Sequence, residues 1–236
     1  MAVAKVQDIG TVDAGSASTT TTVLSVSKTI TAGNIIVIAW GSYDNATLTS
    51  VTDNLGNTYT VGESNAGVTG ARAGIAVGFI TVGGTLTTIT CNHASSRYRF
   101  AAAVEYSGAT STTAVGGGLS NAASVSPGTW MNNKTIPANG AAFGAHYMSA
   151  SSKTFTAGSA SGTPSTSQAV TLQTSSANGG IALIHALAGA SAVTGFTGTV
   201  SWSTDSSTQW CGAGMTITGL SMVARDPLGM MGLIGA

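Results

Sequence analysis

The stretch Arg97-Tyr98-Arg99-Phe100-Ala101-Ala102-Ala103-Val104-Glu105-Tyr106-Ser107-Gly108 decides the fold class. Side chains two residues apart share one face of a β-strand. Tyr98, Phe100, Ala102, Val104 and Tyr106 then make one row, and Arg97, Arg99, Ala101, Ala103 and Glu105 the other. Ser107-Gly108 ends the strand. The same period of two, cut by turn residues at short intervals, runs through most of the chain and predicts an antiparallel all-β fold.

Working outward, Ile35-Ile36-Val37-Ile38-Ala39-Trp40 is apolar on both parities, which predicts a central strand covered on both faces. Ile75 to Ile80 reads likewise, as does Ile181-Ala182-Leu183-Ile184-His185-Ala186-Leu187, whose place between strand patterns outweighs its helix-forming composition. Leu48 to Thr52 and Thr58 to Val61, joined by Asp53-Asn54-Leu55-Gly56-Asn57, read as a hairpin. Residues 107–128 and 158–168 are rich in Ser, Thr, Gly and Ala and are expected to be long loops or weak edges. No internal repeat is visible. The expectation is a single antiparallel β-sandwich, of jelly-roll type, with about ten strands. It has an N-terminal arm or first strand over 1–19, a sandwich domain over 20–220 and an apolar, Met-rich tail over 221–236.

Charge narrows the function. Of 236 residues only 7% are Asp, Glu, Lys or Arg, against about a quarter in an ordinary globular chain. Ser, Thr, Ala and Gly supply more than half of the chain. A free protein normally keeps apart from its neighbours by charge. Here hydroxyls take that role, or other subunits cover the surface. The net charge of zero offers no field for nucleic acid, no Lys/Arg cluster marks a membrane surface, and no apolar run is long enough to span a bilayer. The start, Met1-Ala2-Val3-Ala4-Lys5-Val6-Gln7-Asp8, lacks the pattern of a secretory signal, so synthesis is expected in a cytoplasm. Cys91 and Cys211 are expected to be buried free thiols.

Candidate chemistry is thin. Glu105 is the one carboxylate inside a strong strand, and its expected role is to balance Arg97 or Arg99 across a sheet face. A sugar-cleaving pair would need a second carboxylate, and Asp53, Glu63 and Asp205 all fall in expected loops. His93, His146 and His185 have no metal-ligand spacing, although His146 and His185 sit on strands that could bring them together. Asp53 to Asn57 offers too few charged oxygens for calcium. No metal and no cofactor is expected. Trp40 and Trp202 read as core, and Trp130, after Pro127-Gly128-Thr129, as the aromatic expected at the surface.

After Leu220 the alternation stops. Leu228, Met230, Met231, Leu233 and Ile234 make an apolar tail that would be a liability in water, and Met suits an irregular groove on a partner. These five residues are the expected partner-binding set.

Val51-Thr52-Asp53-Asn54-Leu55-Gly56-Asn57-Thr58-Tyr59-Thr60, a Gly/Thr-rich strand pair, and then Ala103-Val104-Glu105-Tyr106-Ser107-Gly108 resemble, in this order, jelly-roll-like β-sandwich domains. Such domains occur in tailed-phage virion proteins and in bacterial surface proteins. The resemblance spans about residues 20 to 218 and concerns fold more than function. It implies a capsid decoration (cement) protein, head fibre or tail component, with other virion proteins and its own copies as partners, a trimer among the options. It implies no catalytic residues. The other readings are a carbohydrate-binding or adhesive module using Trp130, and a polysaccharide-cleaving enzyme around Glu105.

Overall fold

A computed structural model describes residues 2–44, 46–66, 70–111, 119–121, 128–149, 154–202 and 210–219. They contain seventeen strands where the sequence predicts about ten. The first eight are β1 (Ala4–Asp13), β2 (Thr19–Ile30), β3 (Ile35–Ser42), β4 (Leu48–Asp53), β5 (Thr58–Ala66), β6 (Arg72–Phe79), β7 (Gly84–Ser96) and β8 (Phe100–Ser107). The rest are β9 (Ala109–Ser111), β10 (Leu119–Asn121), β11 (Gly128–Ile136), β12 (Ala141–Met148), β13 (Phe155–Thr163), β14 (Gln168–Ser176), β15 (Gly179–Leu187), β16 (Val193–Trp202) and β17 (Trp210–Gly219).

The sandwich is four sheets deep. An outer sheet β2-β7-β4 covers an inner sheet β1-β8-β3-β6-β5. A second inner sheet, β10-β17-β12-β15-β14, is covered by a second outer sheet, β11-β16-β13. Three apolar layers fill the gaps. Ile35, Val37, Phe100 and Tyr106 meet Phe143, Tyr147, Leu183 and Met215 in the middle. Ile36, Ile38 and Trp40 meet Leu24, Ile89 and Cys91 on one side, and Ala182 and Ile184 meet Phe196 and Val200 on the other. This explains the double-sided apolar runs: every residue of β3 and of β12 is buried. It also accounts for part of the missing charge, because strands covered on both faces have no place for it.

Aromatic rings reach across the layers onto glycines. A Cβ on Gly41 would lie 2.6 Å from the Tyr147 ring, and one on Gly144 would lie 2.3 Å from Trp130. Real Cβ atoms do not approach so closely, so these positions need glycine for space.

The two halves of the chain repeat one another. Adding nine to each strand number turns the sheets β1-β8-β3-β6-β5 and β2-β7-β4 into β10-β17-β12-β15-β14 and β11-β16-β13. The expectation of no internal repeat is therefore corrected. Its trace in the sequence is Lys28-Thr29-Ile30-Thr31-Ala32-Gly33-Asn34, which leads into β3, against Lys134-Thr135-Ile136-Pro137-Ala138-Asn139-Gly140, which leads into β12.

Two local readings change. The segment 53–57 is not a hairpin turn, because β4 bonds to β7 and β5 to β6, so the chain crosses there from outer to inner sheet. Asp53 makes the crossing by accepting from Leu55 N and Asn57 N at 2.9 and 3.0 Å, and from Tyr59 Oη at 2.9 Å. The expected loop over 158–168 is largely β13, which pairs with β16. As the edge of an outer sheet it needs few large apolar residues, so its Ser/Gly composition hides it.

Candidate functional site

Each half carries a tryptophan–histidine pair at the same end, between inner and outer sheet. In the first half Trp40 on β3 packs on His93 of β7, with ring centroids 5.2 Å apart and planes tilted by 34°. In the second half His146 on β12 packs on Trp202 of β16 at 5.1 Å and 31°. The pairing registers, Gly41 with Phe100 and Tyr147 with Cys211, make Trp40 and His146 equivalent, and His93 and Trp202 their exchanged partners.

The polar surroundings differ between the halves. His93 donates from Nδ1 to Ala94 O at 2.7 Å, so its Nε2 accepts from Thr22 Oγ1 at 3.0 Å. Burial holds its pKa below the ordinary histidine value. Arg99 enters the same space from the start of β8, one step beyond the Gly41–Phe100 pair and so beside Ser42. It is 2% exposed. Its Nη2 donates to Ala14 O at 2.8 Å and its Nη1 to Thr21 O at 3.5 Å. Arg99 Nε, Trp40 Nε1 and Ser42 Oγ are buried without a hydrogen-bond partner.

In the second half Trp210 stands where Arg99 does and stacks on His146 at 4.9 Å. Phe155 closes the box edge-on at 5.9 Å. Both His146 nitrogens are buried without a partner, and burial pushes the group down to about 3. An unmet buried polar atom is costly and uncommon. The unmet atoms of Trp40, Ser42 and Arg99 in the first half, and of His146 at the place of Trp40 in the second, single out this end of the molecule.

The carboxylates are engaged in the fold. Glu105 is fully buried and does not balance an arginine. It accepts from Gln7 Nε2 and Asn34 Nδ2, both at 2.6 Å, and from Thr31 N at 3.0 Å, so it ties β1 and the turn after β2 to β8. Arg99 and Glu105 share a face of one strand, but six residues separate them by about 20 Å. Arg97 pairs instead with Asp44 at 3.2 Å.

The histidines do not meet. His146 faces the outer sheet, whereas His185 faces β8, where its Nδ1 lies 2.9 Å from Tyr106 Oη and 3.0 Å from Thr171 Oγ1. Burial draws His185 down to about 4. Among the described residues no group of three or more His, Cys, Asp or Glu is placed to hold a metal, and no helix is long and apolar enough to cross a membrane. Cys91 and Cys211 are buried cysteines in different sheets with no disulfide, and burial pushes the Cys91 thiol up to about 12.

Trp130 is not the surface aromatic expected of it. It is fully buried, donates from Nε1 to Gln168 Oε1 at 2.8 Å and packs on Phe196. Glycines at 144 and 198 on neighbouring strands make room for its ring. Leu228, Met230, Met231, Leu233 and Ile234 lie outside the described residues.

The outward faces of the two outer sheets are uncharged in their cross-strand rows. Val23, Thr90 and Thr52 stand side by side, as do Thr21, Asn92 and Ser50. On the opposite side of the molecule Thr156 faces Ser201, and Ser161 faces Thr197. The sequence hides the surroundings of Arg99, because strand alternation puts Arg99 on the row of Glu105, and hides the second half, because only a few residues of the repeat survive.

No family model, no curated protein and no solved structure matches this chain.

Proposed function

We propose that this protein is a non-enzymatic structural component that attaches to an ordered protein surface and associates with copies of itself. A phage capsid, as decoration or cement, or a phage tail is the favoured setting. The observation that carries this reading is the pair of hydroxyl-lined, charge-free outer faces on opposite sides of the molecule. Neutral Thr and Ser lose little solvation on packing, whereas charged faces would lose much. Many modest contacts then add up when copies are arrayed on one surface.

The topology supports the likeness to jelly-roll-like domains. Strand order 1-8-3-6 facing 2-7-4 is that of a jelly roll whose fifth strand has moved to the inner sheet, and it occurs twice. The engagement of Glu105 and Asp53 in turn hydrogen bonds speaks against a hydrolase built on them.

In this reading the tail from Ala224 to Ala236 docks on a neighbour through its Leu, Met and Ile side chains. Other virion proteins and further copies are the partners, and the assembled virion is the location. The test is the native mass of the full chain against a chain lacking residues 224–236. A full-length oligomer that becomes a folded monomer on truncation supports docking in trans. A truncated chain that melts far lower assigns the tail to its own core. The adhesive reading loses its motivation with Trp130 buried, and a titration of tryptophan fluorescence with a glycan panel tests it directly.

A further inference from the structure

Arg99 is a buried cation. A guanidinium removed from water costs several kcal/mol unless its charge is met, and Arg99 meets only the backbone carbonyls of Ala14 and Thr21. Among the described residues the nearby carboxylates are committed elsewhere. Asp44 pairs with Arg97, and Asp13 Oδ1 accepts from Gly15 N at 2.9 Å. His93 brings no negative charge, and its Nε2 is occupied by Thr22.

The unmet groups are also of one kind. Arg99 Nε–H and Trp40 Nε1–H can only donate, and the Ser42 hydroxyl can donate. Trp40 and Ser42 are two residues apart on β3 and so share the face toward the outer sheet, and Arg99 lies beside Ser42. A water molecule accepts at most two hydrogen bonds and leaves the charge unbalanced. An anion accepts all three and cancels the charge.

We propose that this end of the first half is a buried binding site for a small monovalent inorganic anion of the chloride class, held by Arg99 Nε, Ser42 Oγ and Trp40 Nε1. The second half supplies an internal contrast. Trp210 replaces Arg99 and Met148 replaces Ser42, so the equivalent space around His146 has no cation and no site. The ion acts as a structural clamp, joining β3 and β8 to the segment between β1 and β2 that Arg99 already touches through Ala14.

The experiment is thermal unfolding of the full chain in sodium chloride against sodium gluconate at matched ionic strength, with R99M alongside. The expected result is a melting temperature that rises by about 3 °C for each tenfold increase in chloride above the dissociation constant. R99M should lose this dependence. Equal melting in both salts overturns the proposal, and so does a chloride effect that survives in R99M. Should R99M fail to fold, anomalous diffraction from wild-type crystals grown in bromide decides. A bromide peak within hydrogen-bond reach of Arg99 Nε and Ser42 Oγ supports the site, and its absence there overturns it.

Discussion

Trp40 and His146 occupy the same place in the two halves of the molecule, and each packs on a residue of the other's type. Trp40 lies on His93 at 5.2 Å and His146 on Trp202 at 5.1 Å. The contact has been kept while its two members have changed strands. Hydrogen bonding has not been kept with it: His93 has Thr22 and Ala94, whereas His146 has only aromatic rings.

His146 makes the fold acid-sensitive. Its folded pKa of about 3 lies below the ordinary value of 6.5, so between these limits the unfolded chain takes up a proton that the folded chain refuses. Its contribution is complete above pH 6.5 and falls as the pH drops toward 3, by about 1.4 kcal/mol per pH unit. H146F removes this share of the acid slope, leaving that of His93 and His185, and spares two unmet nitrogens, which is worth about 1–3 kcal/mol. Denaturant unfolding at pH 6.5 and pH 5 checks both, and an unchanged slope in H146F would contradict the assignment.

The two halves are locked at Gly41. G41A places a methyl group 2.6 Å from the Tyr147 ring and 2.7 Å from Tyr147 Cβ, so the inner sheets must shift. The expected cost is about 1–3 kcal/mol. G189A, where a Cβ meets nothing within 4 Å, is the control and is expected to be near neutral. A comparison of chemical denaturation midpoints reads the difference.

Glu105 is an anchor for a turn. E105A strands Thr31 N and the amide of Asn34 and leaves Gln7 Nε2 with Thr29 O alone, for a loss of about 2–3 kcal/mol. E105Q keeps one acceptor oxygen and is expected to lose about half of that. Hydrogen exchange at the Thr31 amide gives a local readout, faster in E105A than in E105Q. Slow exchange in both would contradict the anchor.

Much of this architecture is legible in the sequence, and what is hidden has identifiable causes. β3, β6 and β15 announce themselves because strands covered on both faces are apolar on both parities. That same property signals the depth of the stack, since one sandwich of two sheets has no strand covered twice. β13 is hidden because an outer edge strand of Ser, Gly and Ala has the composition of a loop. Trp130 misleads because Pro127-Gly128 beside it reads as a turn, while the glycines that accommodate its ring are distant in sequence. The repeat is faint because glycine and aromatic residues are redistributed between the halves, leaving Lys-Thr-Ile before β3 and β12 as its clearest remnant. The arginine pocket requires the register of β3 against β8, which composition does not reveal.

In the proposed function the charge-free outer faces are contact faces. The most direct test is the native mass by light scattering, over a rising concentration series, of the wild-type chain and of a variant carrying V23K and T52K. Both positions are exposed and flank Thr90 on one outer sheet. The wild type is expected to associate as concentration rises, and the doubly substituted chain, folded and melting near the wild type, to stay monomeric. A wild type that remains a monomer throughout, or a variant that associates equally well, would contradict it.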